Sequence, residues 1–321
     1  NMKAKNYILF AAALILAACS NDELPTDDPN APVEIRLTGG LEVQTRTTHD
    51  LDMMLKRGEQ VHVWVDDAGN VANKELYKDR ELTAGENGAL MGETMYFPQT
   101  GNAVDIYAIH GNFEEATDWS EGGFWGESVT HTVAQNQKSG EDGYAKSDLV
   151  YAKSTNVART KKTINLQFTH LLSKIEVVLV QGAGSPEIKK VEILNTKLEA
   201  FFTPDKANGF EVIDNGTDGE NPIEIDTDLT SAADAAETDE NKKNLNEAII
   251  VPQLLTKGEP FIRVTTAEGG ELIYRLPEDK TFEPAKKYRF TVTANLTELR
   301  VTAEIENWGE GKGDTGSAEM E

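Results

Sequence analysis

The sequence predicts an all-β protein built from two tandem antiparallel β-sandwich domains, and three observations carry this prediction. Hydrophobic residues occupy every second position over many stretches, which is the period of a half-buried strand. Turn sequences rich in Gly, Asn and Asp, such as 67–70 and 268–270, separate these stretches. Long helical periodicity is scarce; its best candidate is segment 231–245, for which we expect a short surface helix or a mobile loop.

Charge and cysteine content exclude several classes of function. The chain has 321 residues, with 31 Lys and Arg against 55 Asp and Glu, which gives a formal net charge of −24. Such a field repels a phosphate backbone, so we expect no nucleic-acid partner. The single cysteine excludes an internal disulfide framework, a Cys-based zinc cluster and a CxxC redox pair.

The first element is an export signal. Lys3 and Lys5 precede an apolar run that is too short to span a bilayer, and we assign residues 1–18 to a signal peptide. The run ends Leu-Ala-Ala-Cys, which resembles the lipobox of bacterial lipoproteins, whose Cys is acylated and becomes the new N-terminus. Cys19 is therefore the predicted lipidation site. An ordinary signal peptide with an incidental Cys is the alternative.

Residues 19–32 form an acidic, Pro-rich tether that cannot bury enough apolar surface to fold. Its acidic start is similar to the surface-export signal of lipoproteins in anaerobic Gram-negative bacteria. A plain solvated linker is the alternative.

The tether leads into the clearest strand of the sequence, predicted over residues 33–45. Its apolar face consists of Val33, Ile35, Leu37, Leu41 and Val43. Arg46 follows this strand directly and precedes a polar stretch that a protease could reach.

Further strands are predicted in the stretches 61–65, 104–109, 164–168, 175–180, 190–194, 249–251, 261–265, 272–276, 288–296 and 299–305. Two sandwiches fit the length better than one, so we expect an N-terminal domain over 33–182 and a C-terminal domain over 183–308. The Gly- and Pro-containing stretch 182–186 marks the boundary, although it also suits a hairpin turn within one domain. The second domain carries an acidic insert at 214–246, and residues 309–321 form a polar tail.

Motifs for catalysis are missing from the sequence. It has no GxSxG, HExxH, P-loop or strand-linked GxGxxG pattern, and its five histidines are scattered without metal-ligand spacing. Segment 214–220 resembles a calcium loop only in part, because Gly216 and Ile225 stand where oxygen ligands are required. We expect no catalytic residues, no metal site and no cofactor. His170 is predicted to be a hydrogen-bonded strand residue, and the four tryptophans suit core packing better than a sugar-stacking platform.

The order of these parts resembles the fimbrillin family, the pilin-like subunits of type V pili. The supporting stretches are 35–38, 44–47, 148–152, 166–175, 251–253 and 288–293 running on to Trp308. The resemblance covers nearly the whole chain and implies transthyretin-like sandwiches. It also implies a structural subunit of a cell-surface fimbria that is exported as an outer-membrane lipoprotein.

In this family an arginine-specific protease removes the N-terminal segment with its first strand, and a strand from another subunit fills the vacated groove. Arg46 is the matching position for that cleavage, whereas the competing Arg36 lies within the strand and should be protected. The matching alternating segment near the C-terminus comprises Leu299, Val301, Ala303 and Ile305, which makes it the candidate donor strand. A last strand paired only within its own domain remains an open alternative.

The sequence supports two candidate functions from different classes. The first is the polymerising pilin, whose partners are other fimbrial subunits, an arginine-specific protease and the outer membrane through its lipid anchor. The second is a surface lipoprotein, either an adhesin or an anchor subunit, that binds a glycan or host protein and never polymerises. Loss or retention of the segment from Cys19 to Arg46 distinguishes them.

Overall fold

Strands dominate the part of the chain that the computed structural model describes, which comprises residues 31–41, 55, 57–70, 75–111, 129–205, 209–214, 219–308 and 316–318. The predicted all-β class is therefore confirmed. The two α-helices in these ranges are short: α1 spans Gly143–Ser147 and α2 spans Ala232–Ala235. Residues Val33–Glu321 form one compact unit.

Seven strands of the first half of the chain close into a barrel. In chain order the strands of this half are β1 (Glu34–Leu41), β2 (Gln60–Asp67), β3 (Glu75–Ala84), β4 (Ala89–Tyr96), β5 (Val104–His110), β6 (Val129–Thr132), β7 (Val150–Val157) and β8 (Ile164–His170). All except β6 belong to the barrel, in the order β1-β4-β3-β2-β5-β7-β8. Neighbours in this ring are antiparallel except β1 and β8, which run parallel and close it.

The second half of the chain forms separate sheets. Its strands are β9 (Ser173–Gln181), β10 (Ile188–Ile193), β11 (Glu199–Asp205), β12 (Gly209–Asp214), β13 (Ile223–Ile225), β14 (Leu229–Thr230), β15 (Asn246–Ile250), β16 (Gln253–Leu255), β17 (Pro260–Thr266), β18 (Glu271–Arg275), β19 (Lys280–Phe282), β20 (Lys286–Ala294), β21 (Leu299–Asn307) and β22 (Gly316–Ala318). The largest sheet has the order β14-β9-β20-β21-β22, with β15 also paired to β9. The other sheets are β13-β10-β17-β18, β12-β11-β6 and β16-β19.

The change from the barrel to these sheets falls between β8 and β9, at residues 171–172. The predicted domain boundary after Gly182 lies at the end of β9, and it stays a prediction. Each stretch predicted from alternation contributes a strand. Segment 231–245 contains the short helix α2, whose N-cap residue Ser231 accepts a hydrogen bond from the backbone of Asp234, and a 3-10 turn at Glu240–Lys242.

Two large hydrophobic clusters and a small third one, of Val178, Val180 and Leu245, stabilise the described part of the fold. The barrel encloses one of the large clusters, whose buried members include Ile35, Val63, Ile106, Leu166 and Phe168. The other large cluster lies among the sheets of the second half and includes Val177, Ile193, Phe261, Phe290 and Val301. Because apolar burial is the main stabilising term, loss of a strand from either cluster exposes surface that requires a new cover.

The sheet β15-β9-β20-β21 has one face on the second hydrophobic cluster, and on its other face it buries charged side chains. Lys174 on β9 forms ion pairs with Glu247 on β15 at 2.7 Å and with Glu176 at 3.6 Å. Arg289 on β20 donates from Nε to Glu176 Oε2 at 2.9 Å, and it also contacts Glu240 of the acidic insert. Burial raises the pKa of Glu176, but Arg289 and the neighbouring lysines outweigh that effect and lower it to about 2. The insert thus folds over the charged face of this sheet.

Candidate functional site

The first strand, β1, lies between two strands that come much later in the sequence. On one side it pairs antiparallel with β4, with Ile35 opposite Met95 and Leu37 opposite Leu90. On the other side it pairs parallel with β8, with Gly39 opposite Leu166. Removal of β1 therefore opens the barrel and leaves a groove between β4 and β8.

The side chains of β1 alternate between the barrel interior and solvent. Ile35 and Leu37 are each 4% exposed and belong to the barrel core, Gly39 is buried, and Val33 before the strand is half-buried. Arg36 is exposed and pairs with Glu34 at 2.9 Å. Burial of one Ile or Leu side chain contributes about 1.5–3 kcal/mol, so this face contributes about 3–6 kcal/mol through its two fully buried side chains.

The ladder between β1 and β4 is interrupted at Arg36. The register passes from Ile35–Met95 to Leu37–Leu90, so residues 91–94 of β4 lie opposite a single residue of β1. All four are exposed, and a cavity of about 370 Å³ opens beside them, lined among others by Ile35, Leu37, Leu82, Leu90 and Met95. A bulge of this kind removes backbone hydrogen bonds, so β4 holds β1 less firmly than an unbroken ladder would.

Gly39 is the position where β1 approaches the core most closely. A Cβ atom on Gly39 would lie 3.0 Å from the ring of Phe168 and 3.4 Å from Leu55. The backbone is crowded there as well, since a Cβ on Gly88 would lie 2.6 Å from the carbonyl oxygen of Gly39. Gly88 also has a φ of +73°, a conformation that glycine adopts without strain. Glycine within a strand marks such close contacts, a signal that the alternation pattern alone conceals.

The predicted processing residues lie outside the part of the chain that the structure describes. Cys19, Val43 and Arg46 lie outside the described residues, and so does the calcium-like segment 215–218. Leu41 is the last residue of β1, opposite Phe168. The competing Arg36 lies within β1, between Ile35, which pairs with β4, and Leu37, which pairs with both β4 and β8.

The predicted donor segment forms β21. It pairs antiparallel with β20 along nine residues, from Lys286–Asn307 to Ala294–Leu299, and with β22 at residues 303–305. Val301 is 6% exposed, whereas Leu299, Ala303 and Ile305 are half-buried against the second core. The segment is thus paired within its own chain in this structure, and its role as a donor strand stays a prediction.

A buried aromatic contact joins the end of β21 to the barrel. Trp308 lies directly after β21, and its indole stacks on the imidazole of His170 at the end of β8, with ring centroids 3.6 Å apart. His170 donates from Nδ1 to Asp148 Oδ1 at 2.9 Å, and both side chains are at most 5% exposed. The prediction that His170 is a hydrogen-bonded strand residue is confirmed.

The described part of the chain has few of the features expected of a glycan-binding surface, which the second candidate function requires. Trp64 and Trp308 are buried in the core, and Trp119 and Trp125 lie outside the described residues. A second cavity, of about 390 Å³, opens between β5 and α1 and is lined by charged residues of both signs, among them Arg57, Glu59, Asp142 and Lys146. None of its lining residues that the structure describes can stack on a sugar, because none has a Trp, Tyr or Phe ring.

Within the described ranges, no group of three or more His, Cys, Asp or Glu side chains could hold a metal ion. Nor does any helix in those ranges have the length and hydropathy needed to cross a membrane.

Comparison with known proteins assigns the chain to a family. The sequence profile of fimbrillin-like proteins matches residues 45–308. A protein of Bacteroides uniformis named as fimbrium subunit Fim1C is 24% identical over 319 residues, which cover 96% of each chain.

Solved structures agree in fold. A protein of Bacteroides ovatus named as a cell adhesion protein aligns with a TM-score of 0.64 at 18% identity, over 88% of this chain and all of that one. The tip fimbrial protein Mfa3 of Porphyromonas gingivalis, with its C-terminus truncated, aligns with a TM-score of 0.51 at 12% identity, over 87% of this chain and all of that one. The profile match spans most of the sequence and the relative covers nearly all of it, and the chain belongs to the fimbrillin-like family.

Proposed function

We propose that this protein is a structural, non-enzymatic subunit of a cell-surface fimbria, exported as an outer-membrane lipoprotein acylated at Cys19. Cleavage after Arg46 then releases the N-terminal segment together with β1. A strand from another subunit enters the groove between β4 and β8, and repetition of this step builds the polymer. The observation that carries the proposal is the position of β1, a single strand that completes the barrel from the extreme N-terminal side of the fold.

Three properties of β1 support its removal. It spans only eight residues, its ladder with β4 is interrupted at Arg36, and it contacts the rest of the barrel as one separable N-terminal strand. Its loss leaves the core residues Leu82, Met95 and Phe168 without cover. Exposed apolar side chains beside two unpaired strand edges form a template for strand addition.

Strand pairing protects Arg36 from a protease and so favours Arg46 as the site of the cut. Proteases act on segments that can leave the fold, whereas Arg36 lies within a strand whose next residue, Leu37, is paired with both β4 and β8. Arg46 follows shortly after Leu41, the last residue of β1, so cleavage there frees the whole strand. The family match also begins at residue 45, beyond β1.

The experiment that tests this function compares the chain with its Arg46→Ala variant, both produced without lipid and treated with an arginine-specific protease. Intact mass, N-terminal sequence and size-exclusion chromatography follow cleavage and assembly. We expect one cut after Arg46, followed by slow growth of high-mass species, and neither in the variant.

Arg57→Ala is the matched control, because Arg57 is an exposed arginine of the same region, with 76% of its side chain accessible. It should be cleaved and assemble normally. Assembly of the Arg46→Ala variant would exclude the activation step. A clean cut that leaves a stable monomer would favour a non-polymerising surface lipoprotein that binds a glycan or host protein.

A further inference from the structure

The loop between β7 and β8, residues 158–163, is a basic patch on an acidic protein. The whole chain has a formal net charge of −24, yet residues 149–175 contain no Asp or Glu. The loop carries Arg159, Lys161 and Lys162, and both lysines are exposed. We call it the basic hairpin. Copies of a strongly acidic protein repel each other, so a contact between two copies is favoured where one of them is locally basic.

The basic hairpin lies at the opposite end of β8 from the second half of the chain. β8 begins at the hairpin and ends at His170, and two residues connect it to β9. Two acids on the neighbouring strands are already engaged. Glu34 on β1 pairs with Arg36, and Asp105 on β5 accepts a hydrogen bond from the backbone of Asn156. The two lysines of the hairpin therefore present their positive charge to solvent at this end of the barrel.

Three loops are hydrogen-bonded to one another at the opposite end of β9 from β8. Leu296 donates from its backbone to the carbonyl oxygen of Ala183, and Ala267 donates to that of Glu187. The three loops contain three glutamates and no Lys or Arg. We call them the acidic end; they comprise residues 182–187, 267–270 and 295–298, and their glutamates are Glu187, Glu268 and Glu298, all exposed.

Each of the two surfaces also has a small apolar area. In the acidic end, Leu296 is 62% exposed. At the basic hairpin, Ala158 is exposed and Val157, the last residue of β7, is half-buried. Apolar residues within a polar rim are typical of protein interfaces. Glu298 pairs with Arg300 at 3.3 Å, so the better partners for the lysines are Glu187 and Glu268.

We propose that the basic hairpin of one copy docks on the acidic end of a second copy. This inference rests on the proposed function, because it describes a contact within the polymer that is additional to strand exchange. The two surfaces differ, so each copy offers one of them to the copy ahead and the other to the copy behind. A contact of this heterologous type builds an open chain when its rotation does not close a ring. The opposite charges speed the encounter and determine which ends meet.

Charge reversal tests the contact from both sides. The hairpin variant carries Lys161→Glu and Lys162→Glu, the acidic-end variant carries Glu187→Lys and Glu268→Lys, and the swap variant carries all four changes. Each chain is produced without lipid and cleaved by an arginine-specific protease, and light scattering measures the rate of assembly. We expect the hairpin variant and the acidic-end variant each to assemble about tenfold more slowly than the parent chain, because like charges then face each other. The swap variant should return to within about threefold of the parent rate, since opposite charges meet again.

The matched control for the hairpin variant carries Lys242→Glu and Lys257→Glu. Both lysines are exposed and lie outside the two surfaces, so the total charge changes equally while the contact stays intact. This control should assemble at the parent rate. Thermal unfolding of all uncleaved variants verifies that each of them folds.

Parent rates of assembly in both the hairpin variant and the acidic-end variant would overturn the inference and leave the proposed function intact. A swap variant no faster than those two would overturn it as well, because the hairpin then meets a different acidic surface. Cleavage of the parent chain without any polymer would contradict the proposed function, and this inference with it.

Discussion

Trp308 and His170 stack almost face to face, with 3.6 Å between ring centroids and 10° between ring planes. His170 ends β8, the parallel neighbour of β1, and Trp308 directly follows β21, the candidate donor strand. One buried contact thus joins the two strands on which the assembly proposal depends. If β21 leaves its sheet, Trp308 has to leave His170 as well, or the chain has to bend between them.

The first prediction concerns this contact. His170→Ala removes the stacking partner of Trp308 and leaves the buried carboxylate of Asp148 without its hydrogen bond. An unpaired buried acceptor costs about 1–3 kcal/mol and lost aromatic stacking about 0.5–1.5 kcal/mol, so the free energy of unfolding should fall by about 3 kcal/mol. Urea unfolding of the uncleaved chain, followed by tryptophan fluorescence, measures this loss.

His62→Ala serves as its control, since His62 also pairs with an aspartate, Asp79, at 2.6 Å. Both of those side chains are partly accessible, at 18% and 17%, so solvent replaces much of the lost interaction. We expect a loss of about 1 kcal/mol. Equal losses in the two variants would show that burial of the His170 cluster contributes nothing extra.

A second prediction concerns the close contact of β1 with the core. Gly39→Val adds three carbon atoms against Phe168 and should lower the free energy of unfolding of the precursor by about 1–3 kcal/mol. Gly40→Val is the control, because the nearest atoms there belong to the exposed side chain of Asn165, which can move. Its effect should stay within about 0.5 kcal/mol, as for most surface substitutions. Chemical unfolding measures both, and a well-tolerated Gly39→Val would show that the contact between β1 and Phe168 has room for a larger side chain.

The strands that the sequence predicts are those with unbroken alternation. Each lies with one face on a hydrophobic core, so period two is visible without knowledge of its partners. Alternation does not predict β3 and β4. β3 is half-exposed along most of its length, and in β4 the bulge over 91–94 interrupts the alternation with four exposed residues.

Alternation of hydrophobic residues does not predict which strands pair with each other. β1 pairs with β8, and His170 meets Trp308, only because of the topology of the barrel and of the second half. The charged face of β9 and β20 is a further case. Lys174, Glu176 and Arg289 alternate with apolar residues and so predict a solvated face, yet they are buried, because the acidic insert supplies Glu240 and covers them.

The third prediction concerns export. Cys19→Ala should abolish attachment to the outer membrane, because the acyl chains on this residue would supply the anchor. Membrane fractionation and metabolic labelling with a radioactive fatty acid measure attachment and acylation separately. Ser20→Ala is the matched control and should retain both. Unchanged fractionation of Cys19→Ala would show that attachment does not depend on acylation of this residue and would contradict the lipobox assignment.

The fourth prediction is a loss of stability in acid through Glu176. Burial raises the pKa of this carboxyl, but Arg289, Lys174 and Lys287 outweigh it and lower the pKa to about 2, against 4.5 in an unfolded chain. A lowered folded-state pKa stabilises the fold above the unfolded value, and this contribution is lost as the pH falls from 4.5 to 2. The shift corresponds to about 3 kcal/mol.

Glu176→Gln isolates this contribution. At pH 7 the variant should be less stable by about 3 kcal/mol, because Arg289 and Lys174 each lose one of the two carboxylates with which they pair. Between pH 4.5 and pH 2 its stability should fall less steeply than that of the parent chain, since the titrating group is gone. Glu93→Gln, at an exposed carboxyl on β4, controls for the loss of one negative charge and should change stability at pH 7 by no more than about 0.5 kcal/mol. Identical acid slopes for Glu176→Gln and the parent chain would show that the buried network does not titrate in this range.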